Sequence, residues 1–253
     1  MCRKICGCAL IESDFYGKYL SKIHDSDFGF FAENAAIGIF ELLQKYDITE
    51  GHLVDLGCGS GILAKYFISK GYSVTGIDQS QEMISIAKKK TKNAHFMLGS
   101  FYSMKIPSCN VVISTGECLN YYNKMNTNSQ PKKLFQEIYS AISSQGIFIF
   151  DFAMPGRVES SNKKKWRRDN WEMKVEHREN KNLNYLTRKI SLKIKTKKGE
   201  FQKQETHRLK LYEKEELESS LIGAGFSPKF VHGYGLYNFP FHKGYGGFLA
   251  KKK

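Results

Sequence analysis

The run His52-Leu53-Val54-Asp55-Leu56-Gly57-Cys58-Gly59-Ser60-Gly61 puts a carboxylate and three glycines at the end of a short apolar strand. Glycine has no Cβ, so such a turn adopts dihedrals that other residues avoid and lets a ligand lie against bare backbone. A helical pattern follows at once, with Ile62, Leu63, Tyr66 and Phe67 on one face. Its unpaired N–H groups would suit a carboxylate or a phosphate. Further on, Asp78 closes a second apolar run beginning at Tyr72. A nucleotide-binding βαβ unit wants a carboxylate about 20 residues beyond its glycines, at the tip of the next strand, to accept from both ribose hydroxyls. Ser80 then caps a helix carrying Met83, Ile84 and Ala87. The plainer alternatives are a tight strand-to-helix turn and a carboxylate that merely precedes a helix.

The glycine spacing selects among nucleotide sites. A dinucleotide fingerprint needs G-x-G-x-x-G, and its third glycine would here be Ile62. G-x-G-x-G behind an acidic residue instead resembles the first motif of the class I S-adenosylmethionine-dependent methyltransferases. The segments Val54–Gly61, Gly116–Tyr122 and Glu205–Leu209 are similar to bacterial members of that family, so the resemblance spans nearly the whole chain. It implies S-adenosyl-L-methionine as cofactor, S-adenosyl-L-homocysteine as product, and transfer by a single in-line displacement. The α/β fold it implies is a seven-stranded Rossmann-like sheet with helices on both faces.

Carried onto this chain, the cofactor contacts would be Tyr16, Asp55, Gly57, Cys58, Gly59, Gly61, Asp78, Gln79, Met83, Ser100, Phe101 and Ser114. The glycines would pass under the methionine end, Asp78 would hold the ribose, and Ser100 with Phe101 would meet the adenine. Ser100 stands where the family more often has Asp and accepts less strongly than a charged group. Tyr16 follows from the N-terminal helix that closes over the cofactor in related enzymes.

These residues need strands that end together. Ala94–Leu98 leads into Gly99-Ser100-Phe101, and Val111-Val112-Ile113 leads into the segment from Ser114 to Tyr122. Four strand ends would thus meet at the carboxyl edge, where open α/β sheets place their ligands. Pro131 suits a helix start, with Leu134, Phe135, Ile138 and Ile142 facing the core and Gly146 closing it. Ile147–Phe152 reads as a fifth buried strand. Alternation resumes at Tyr212, with a helix from Glu213 to Ala224 and final strands at Phe226–Val231 and Gly246–Ala250. Upstream, Phe15, Tyr16, Tyr19, Leu20 and Ile23 fall at helical spacing, and Ile37 to Leu43 form a second stripe. Phe28, Phe30 and Phe31, between these stripes, read as core packing. The expected division is a helical cap at 1–50, a cofactor domain at 51–152 with 212–253, and an insertion at 153–211.

Within the insertion, Trp171, Met173 and Val175 alternate with charged residues, as Ile190, Leu192 and Ile194 do with Lys189, Lys193 and Lys195. Period-two strands with one covered and one wet face form antiparallel hairpins. They are expected to roof the carboxyl edge as a substrate lid. Odd positions from Phe201 to Leu211 share a face, which sets Glu205 and His207 beside Leu209 and Leu211 on the inner side. His207, with its neighbouring carboxylate, could take a proton near neutral pH, or be a satisfied structural histidine. Glu117, directly after the fourth strand, is the other catalytic candidate. Asn120, Tyr121, Tyr122 and Glu205 are candidates for substrate contact, and His24, near Asp25 and Asp27, is less constrained.

Charge narrows the partners. The net charge is +14, and the stretch from Arg157 to Lys210 holds 18 Lys and Arg against 7 Asp and Glu. Clustered cations suit phosphate neutralisation, but aromatics are not interleaved as stacking on single-stranded RNA requires. The amino-adenine Pro-Pro-aromatic motif and the cytosine Pro-Cys nucleophile are also missing. A solvated lysine face is favoured over a nucleic-acid surface. No apolar run approaches the ~18 residues of a membrane span, and no signal peptide is evident, so a cytoplasmic protein with reduced cysteines is expected. Cys2, Cys6 and Cys8 lack partners at zinc-site spacing, and no metal is expected. Three functions stay open: methylation of a small molecule at nitrogen or oxygen, methylation of RNA through the basic insertion, and a non-catalytic cofactor-binding module.

Overall fold

The computed structural model describes residues 15–121, 130–158, 162–197, 199–235 and 240–252. Two helices, α1 (Lys18–Asp27) and α2 (Phe30–Lys45), precede an alternation of β1 (His52–Leu56), α3 (Ile62–Ser69), β2 (Ser73–Asp78), α4 (Gln81–Lys90) and β3 (His95–Leu98). Next come β4 (Cys109–Ser114), a short 3-10 turn at Cys118–Asn120, α5 (Gln130–Ala141) and β5 (Ile142–Ala153). Four strands follow: β6 (Asn162–Arg167), β7 (Trp171–Asn180), β8 (Tyr185–Thr196) and β9 (Gly199–Lys210). The chain ends with α6 (Lys214–Gly223), β10 (Phe226–Val231) and β11 (Tyr245–Lys252).

The main sheet has seven strands in the order β10-β11-β5-β4-β1-β2-β3. The first five in sequence run parallel, and β11 enters antiparallel beside β5 with β10 outside it. Leu53, Val54 and Leu56 of β1 are all buried, as expected of a strand covered on both faces. Leu134 and Phe135 of α5 and Leu217 and Leu221 of α6 cover one face. Ile39 and Leu43 of α2, Leu63 and Phe67 of α3 and Ile84 of α4 cover the other. Chain direction across the sheet reverses between β1 and β4, and a crevice at the carboxyl ends there is the usual ligand position.

The second sheet is the antiparallel meander β6-β7-β8-β9. Trp171, Met173, Val175, Ile190, Leu192 and Ile194 form its inner face, and Leu20 and Ile23 of α1 pack against them. A separate apolar contact of Leu186, Leu209 and Leu211 with Ala153 and Val158 ties this sheet to the end of β5. Strand β6 was not evident in the sequence because its Lys-rich run is almost wholly exposed and carries no alternation.

Four local expectations are corrected. Phe15 and Tyr16 precede α1 instead of belonging to it: Tyr16 has φ 53°, and the Tyr16 and Gly17 N–H groups donate to Glu205 at 2.8 and 3.0 Å. That carboxylate turns the chain before the helix can begin. Phe30 and Phe31 lie inside α2. Helix α5 stops at Ala141, so Ile142 opens β5 and Gly146 lies within that strand. Phe201 is 38% exposed at the outer end of β9, and the inner face of that strand starts only at Glu205.

Gly61 shows why the third glycine of the turn is needed. Its φ is 75°, and a Cβ there would lie 3.1 Å from both the Ala87 Cβ and the Phe96 ring. Gly61→Ala should therefore lower the unfolding free energy by about 2 kcal/mol, from left-handed strain and overpacking together. The urea midpoint should fall with unchanged slope. A midpoint equal to the parent's would show that α3 and α4 tolerate the methyl group.

Candidate active site

The ends of β1, β2 and β4 frame two adjoining cavities that share Tyr16, Gly57, Asp78, Cys118 and Tyr121. The smaller, about 60 Å³, is lined by Gln79, Ser80, Gly99, Ser100, Phe101 and Tyr102. The larger, about 380 Å³, runs from Asp55, Cys58, Gly59 and Ser60 to Glu117, Arg157, Arg188 and Tyr245. Gly57 takes φ 81°, and a Cβ would come within 2.8 Å of the Cys118 Cβ. At Gly59, φ 51°, the corresponding Cβ meets nothing within 4 Å. The backbone is bare toward the cavity there.

Asp78 is fixed by the backbone. Its Oδ2 accepts from Gly59 N and its Oδ1 from Ser80 N, both at 2.8 Å. Burial raises its carboxyl pKa, against those N–H donors. Asp55 differs: it is 1% exposed, and its Oδ2 has no hydrogen-bond partner. Burial, assisted by the nearby Asp78 charge, pushes its pKa up to about 7.

The far end of the larger cavity centres on Glu117, which adopts φ 62°. Asp151 at the end of β5 holds it there, accepting from Gly116 N at 2.8 Å and Glu117 N at 2.6 Å. Tyr234 donates its hydroxyl to the same carboxylate at 2.8 Å. The Glu117 side chain is 2% exposed and meets two guanidiniums from the insertion: Arg157 Nε at 3.0 Å and Arg188 Nη2 at 2.8 Å. Burial would raise its pKa, but Arg188 and then Arg157 outweigh this and hold the carboxyl below its usual range. His24 also lines this cavity, edge-on to the Tyr16 ring at 5.1 Å between centroids. Burial and then Arg188 bring its pKa down to about 4, so the ring is neutral near pH 7.

Several residues singled out in the sequence turn away from the cavities. Ser114 donates its hydroxyl to Leu56 O at 2.8 Å, tying β4 to β1. Gly61 is a packing glycine, as shown above. The Asn120 amide is a bracket: Nδ2 donates to Ala153 O and Lys210 O, and Oδ1 accepts from Ala153 N. Glu205 holds the Tyr16–Gly17 backbone and also meets His207 Nε2 at 2.9 Å. His207 is fully buried behind Phe15, Tyr16 and Tyr121. Burial lowers its pKa despite Glu205. Tyr122 and the N-terminal cysteines lie outside the described residues.

Gln79, Met83, Cys58, Ser100, Phe101 and Tyr121 do line the cavities. Arg157, Arg188 and Tyr245 were not anticipated, and Phe28, Phe30 and Phe31 line the larger cavity where core packing was expected. No group of three or more His, Cys, Asp or Glu residues could hold a metal ion among the described residues.

Comparison with known proteins places this geometry. Residues 54–150 match the family model described as Methyltransferase domain. This segment is a class I S-adenosylmethionine-dependent methyltransferase domain. The chain is 29% identical over 107 residues to "Putative methyltransferase YqeM" of Bacillus subtilis (strain 168), a match covering 40% of this chain and 42% of that protein. It thus aligns with less than half the length of that relative. The fold is shared far more widely. A S-adenosylmethionine-dependent methyltransferase from Clostridium acetobutylicum ATCC 824 superposes with TM-score 0.76 at 19% identity, covering 92% of this chain and 97% of that one. S-adenosylmethionine-bound CalS10, an amino pentose methyltransferase from Micromonospora echinaspora, gives 0.70 at 15%, covering 86% and 90%.

The residues present fit the methyltransferase cofactor. An orphaned buried carboxylate oxygen at Asp55 suits the ammonium of its methionine end, and the open side of Gly59 leaves room beside it. Asp78 keeps lone pairs for ribose hydroxyls, and Phe101 walls the smaller cavity. A cation at Asp55 would bring its raised pKa down, so binding should release protons near pH 7. Calorimetric titration of S-adenosylhomocysteine at pH 7, in two buffers of different ionisation enthalpy, should show a fractional proton released, and Asp55→Asn should abolish it. Equal apparent enthalpies in both buffers would exclude the contact.

Proposed function

We propose that this chain transfers a methyl group from S-adenosylmethionine to a small-molecule acceptor bearing an oxygen or nitrogen nucleophile. The observation that carries this is one cavity joining the glycine turn to Glu117 and to Arg157 and Arg188 of the insertion. In this reading residues 153–211 serve as lid, 1–50 as cap, and 51–152 with 212–253 as cofactor domain.

The cofactor, when bound, supplies an electrophilic methyl group on a sulfonium. The chain's own residues have three tasks. Gly57, Gly59, Asp55 and Asp78 bind and orient the cofactor, with Ser100 and Phe101 at its adenine. The roof of α1 and the second sheet excludes water and holds the acceptor in line. Where the acceptor is protonated, a base must remove that proton. Glu117 is unsuited, since both its oxygens are held by guanidiniums and its pKa is lowered. His207 is walled off by aromatic rings. His24 has the access: it lines the cavity with a neutral ring, and although its lowered pKa of about 4 makes it a weak base, it can accept a proton that turns strongly acidic as the acceptor atom is methylated.

RNA is the less favoured acceptor. Part of the outer charge of the insertion is already paired, as Lys163 with Glu176 and Lys165 with Glu172, and Arg188 turns inward from the insertion onto the buried Glu117.

His24→Ala should leave S-adenosylhomocysteine affinity within about threefold while lowering methyl transfer ~100-fold, the usual weight of an acid–base group. Asp78→Ala should abolish cofactor binding, read by calorimetry. The acceptor is found by incubation with methyl-labelled cofactor and either a metabolite extract or total RNA. Label in RNA, with binding that weakens steeply with salt, would move the acceptor to nucleic acid. Tight cofactor binding without label in either would leave a non-catalytic module.

A further inference from the structure

The two guanidiniums at the far end of the larger cavity are not equivalent. Every nitrogen of Arg188 has a protein partner: Nε donates to His177 Nε2, Nη1 to the Tyr121 hydroxyl and Nη2 to Glu117. Arg157 uses only Nε, on Glu117, while its guanidinium lies 4.2 Å from the Tyr245 ring centroid. Its terminal nitrogens have no hydrogen-bond partner among the described residues. The Arg157 side chain is 24% exposed and lines the cavity. A guanidinium presents a planar fork that matches carboxylate and phosphate oxygens.

Charge points the same way. Two guanidiniums meet the Glu117 carboxylate, and Asp151 behind it is only partly ionised near neutral pH, since burial pushes its pKa up to about 7, so a partial positive charge is left at this end. His24 and His177 add none, since burial and Arg188 bring both down to about 4. The carboxylates Asp55 and Asp78 stand at the glycine-turn end. A sulfonium would add a second positive charge, so an ammonium acceptor would meet like charge on two sides.

We infer that the methyl acceptor carries a carboxylate or phosphate group which Arg157 binds as a handle, the nucleophilic atom being a separate group of the same molecule. This rests on the methyl-transfer reading above. Handle and nucleophile are distinct because a guanidinium bound to the reacting oxygen would withdraw the electron density that the displacement needs.

The test is calorimetric titration of benzoate and of inorganic phosphate into protein saturated with S-adenosylhomocysteine, at constant ionic strength. At least one anion should bind, and which of them binds identifies a carboxylate or a phosphate handle. Arg157→Gln should weaken that binding tenfold or more while leaving S-adenosylhomocysteine affinity within twofold. Arg157→Lys, which keeps the charge and loses the fork, should fall between. Benzylamine should not bind. Binding of neither anion, equal binding in Arg157→Gln, or tighter binding of benzylamine would overturn the inference. The same titrations on ligand-free protein separate the two proposals: if S-adenosylhomocysteine fails to bind, methyl transfer falls, and the anion site is judged by its own titration.

Discussion

The site depends on one buried cluster, Glu117 between Arg157 and Arg188, more than on any other contact. Ion pairs of this kind give little net stability, because each charge loses its hydration, but removal of one partner costs about 3–5 kcal/mol. Their main effect is positional. Glu117 follows β4, Arg157 follows β5 and Arg188 lies on β8, so one carboxylate fixes the insertion over the main sheet. Glu117 can do this only from its left-handed backbone conformation, which Asp151 secures from below through two N–H groups. The chain of dependence runs from the end of β5 upward, through a strained turn, into the roof.

A second carboxylate repeats the arrangement at the N-terminal side. Glu205 on β9 holds the Tyr16 and Gly17 N–H groups, and the Tyr16 carbonyl in turn accepts from Ser80 Oγ, the cap of α4. Tyr16 therefore couples the insertion to the loop that carries Asp78. Its phenol meets the Tyr121 hydroxyl at 3.1 Å, and Arg188 donates to that same hydroxyl. The N-terminal segment, the second sheet and the loop after β2 share one polar network, so a change in any of them is felt by the other two. Apolar packing of Leu20 and Ile23 against the second sheet supplies the cohesion that such a network lacks.

This division explains what the sequence revealed. The glycine-turn end of the larger cavity was legible because its determinants are local: Asp55, Gly57 and Gly59 lie on one turn, and Asp78 ends the neighbouring strand. The fold was legible for the same reason, since the buried runs of β1, β2, β4 and β5 are continuous and the alternation of β7 and β8 is clean. Gly61 reads as a ligand glycine because motif spacing does not distinguish a backbone that faces a cavity from one that faces Ala87. Ser114 and Asn120 were misplaced for a related reason. Both follow the right strand, but a polar side chain there can satisfy the backbone instead of a ligand, and only the register with Leu56 or Ala153 decides which.

The far end of the larger cavity was illegible because no segment encodes it. His24 comes from α1, Arg157 from the stretch after β5, Arg188 from β8 and Tyr245 from β11, and each looks ordinary among its neighbours. Arg188 stands beside Lys189 in a lysine-rich strand, and strand alternation alone sets the first inward and the second outward. Once inward, it does more than pair with Glu117: the burial of His24 and His177, and then its charge, bring both pKa values down to about 4. Both imidazoles are therefore neutral near pH 7. The same guanidinium that ties the second sheet to Glu117 adds to burial in keeping the histidines of the cavity neutral, so the architecture and the acid–base character of this site are linked.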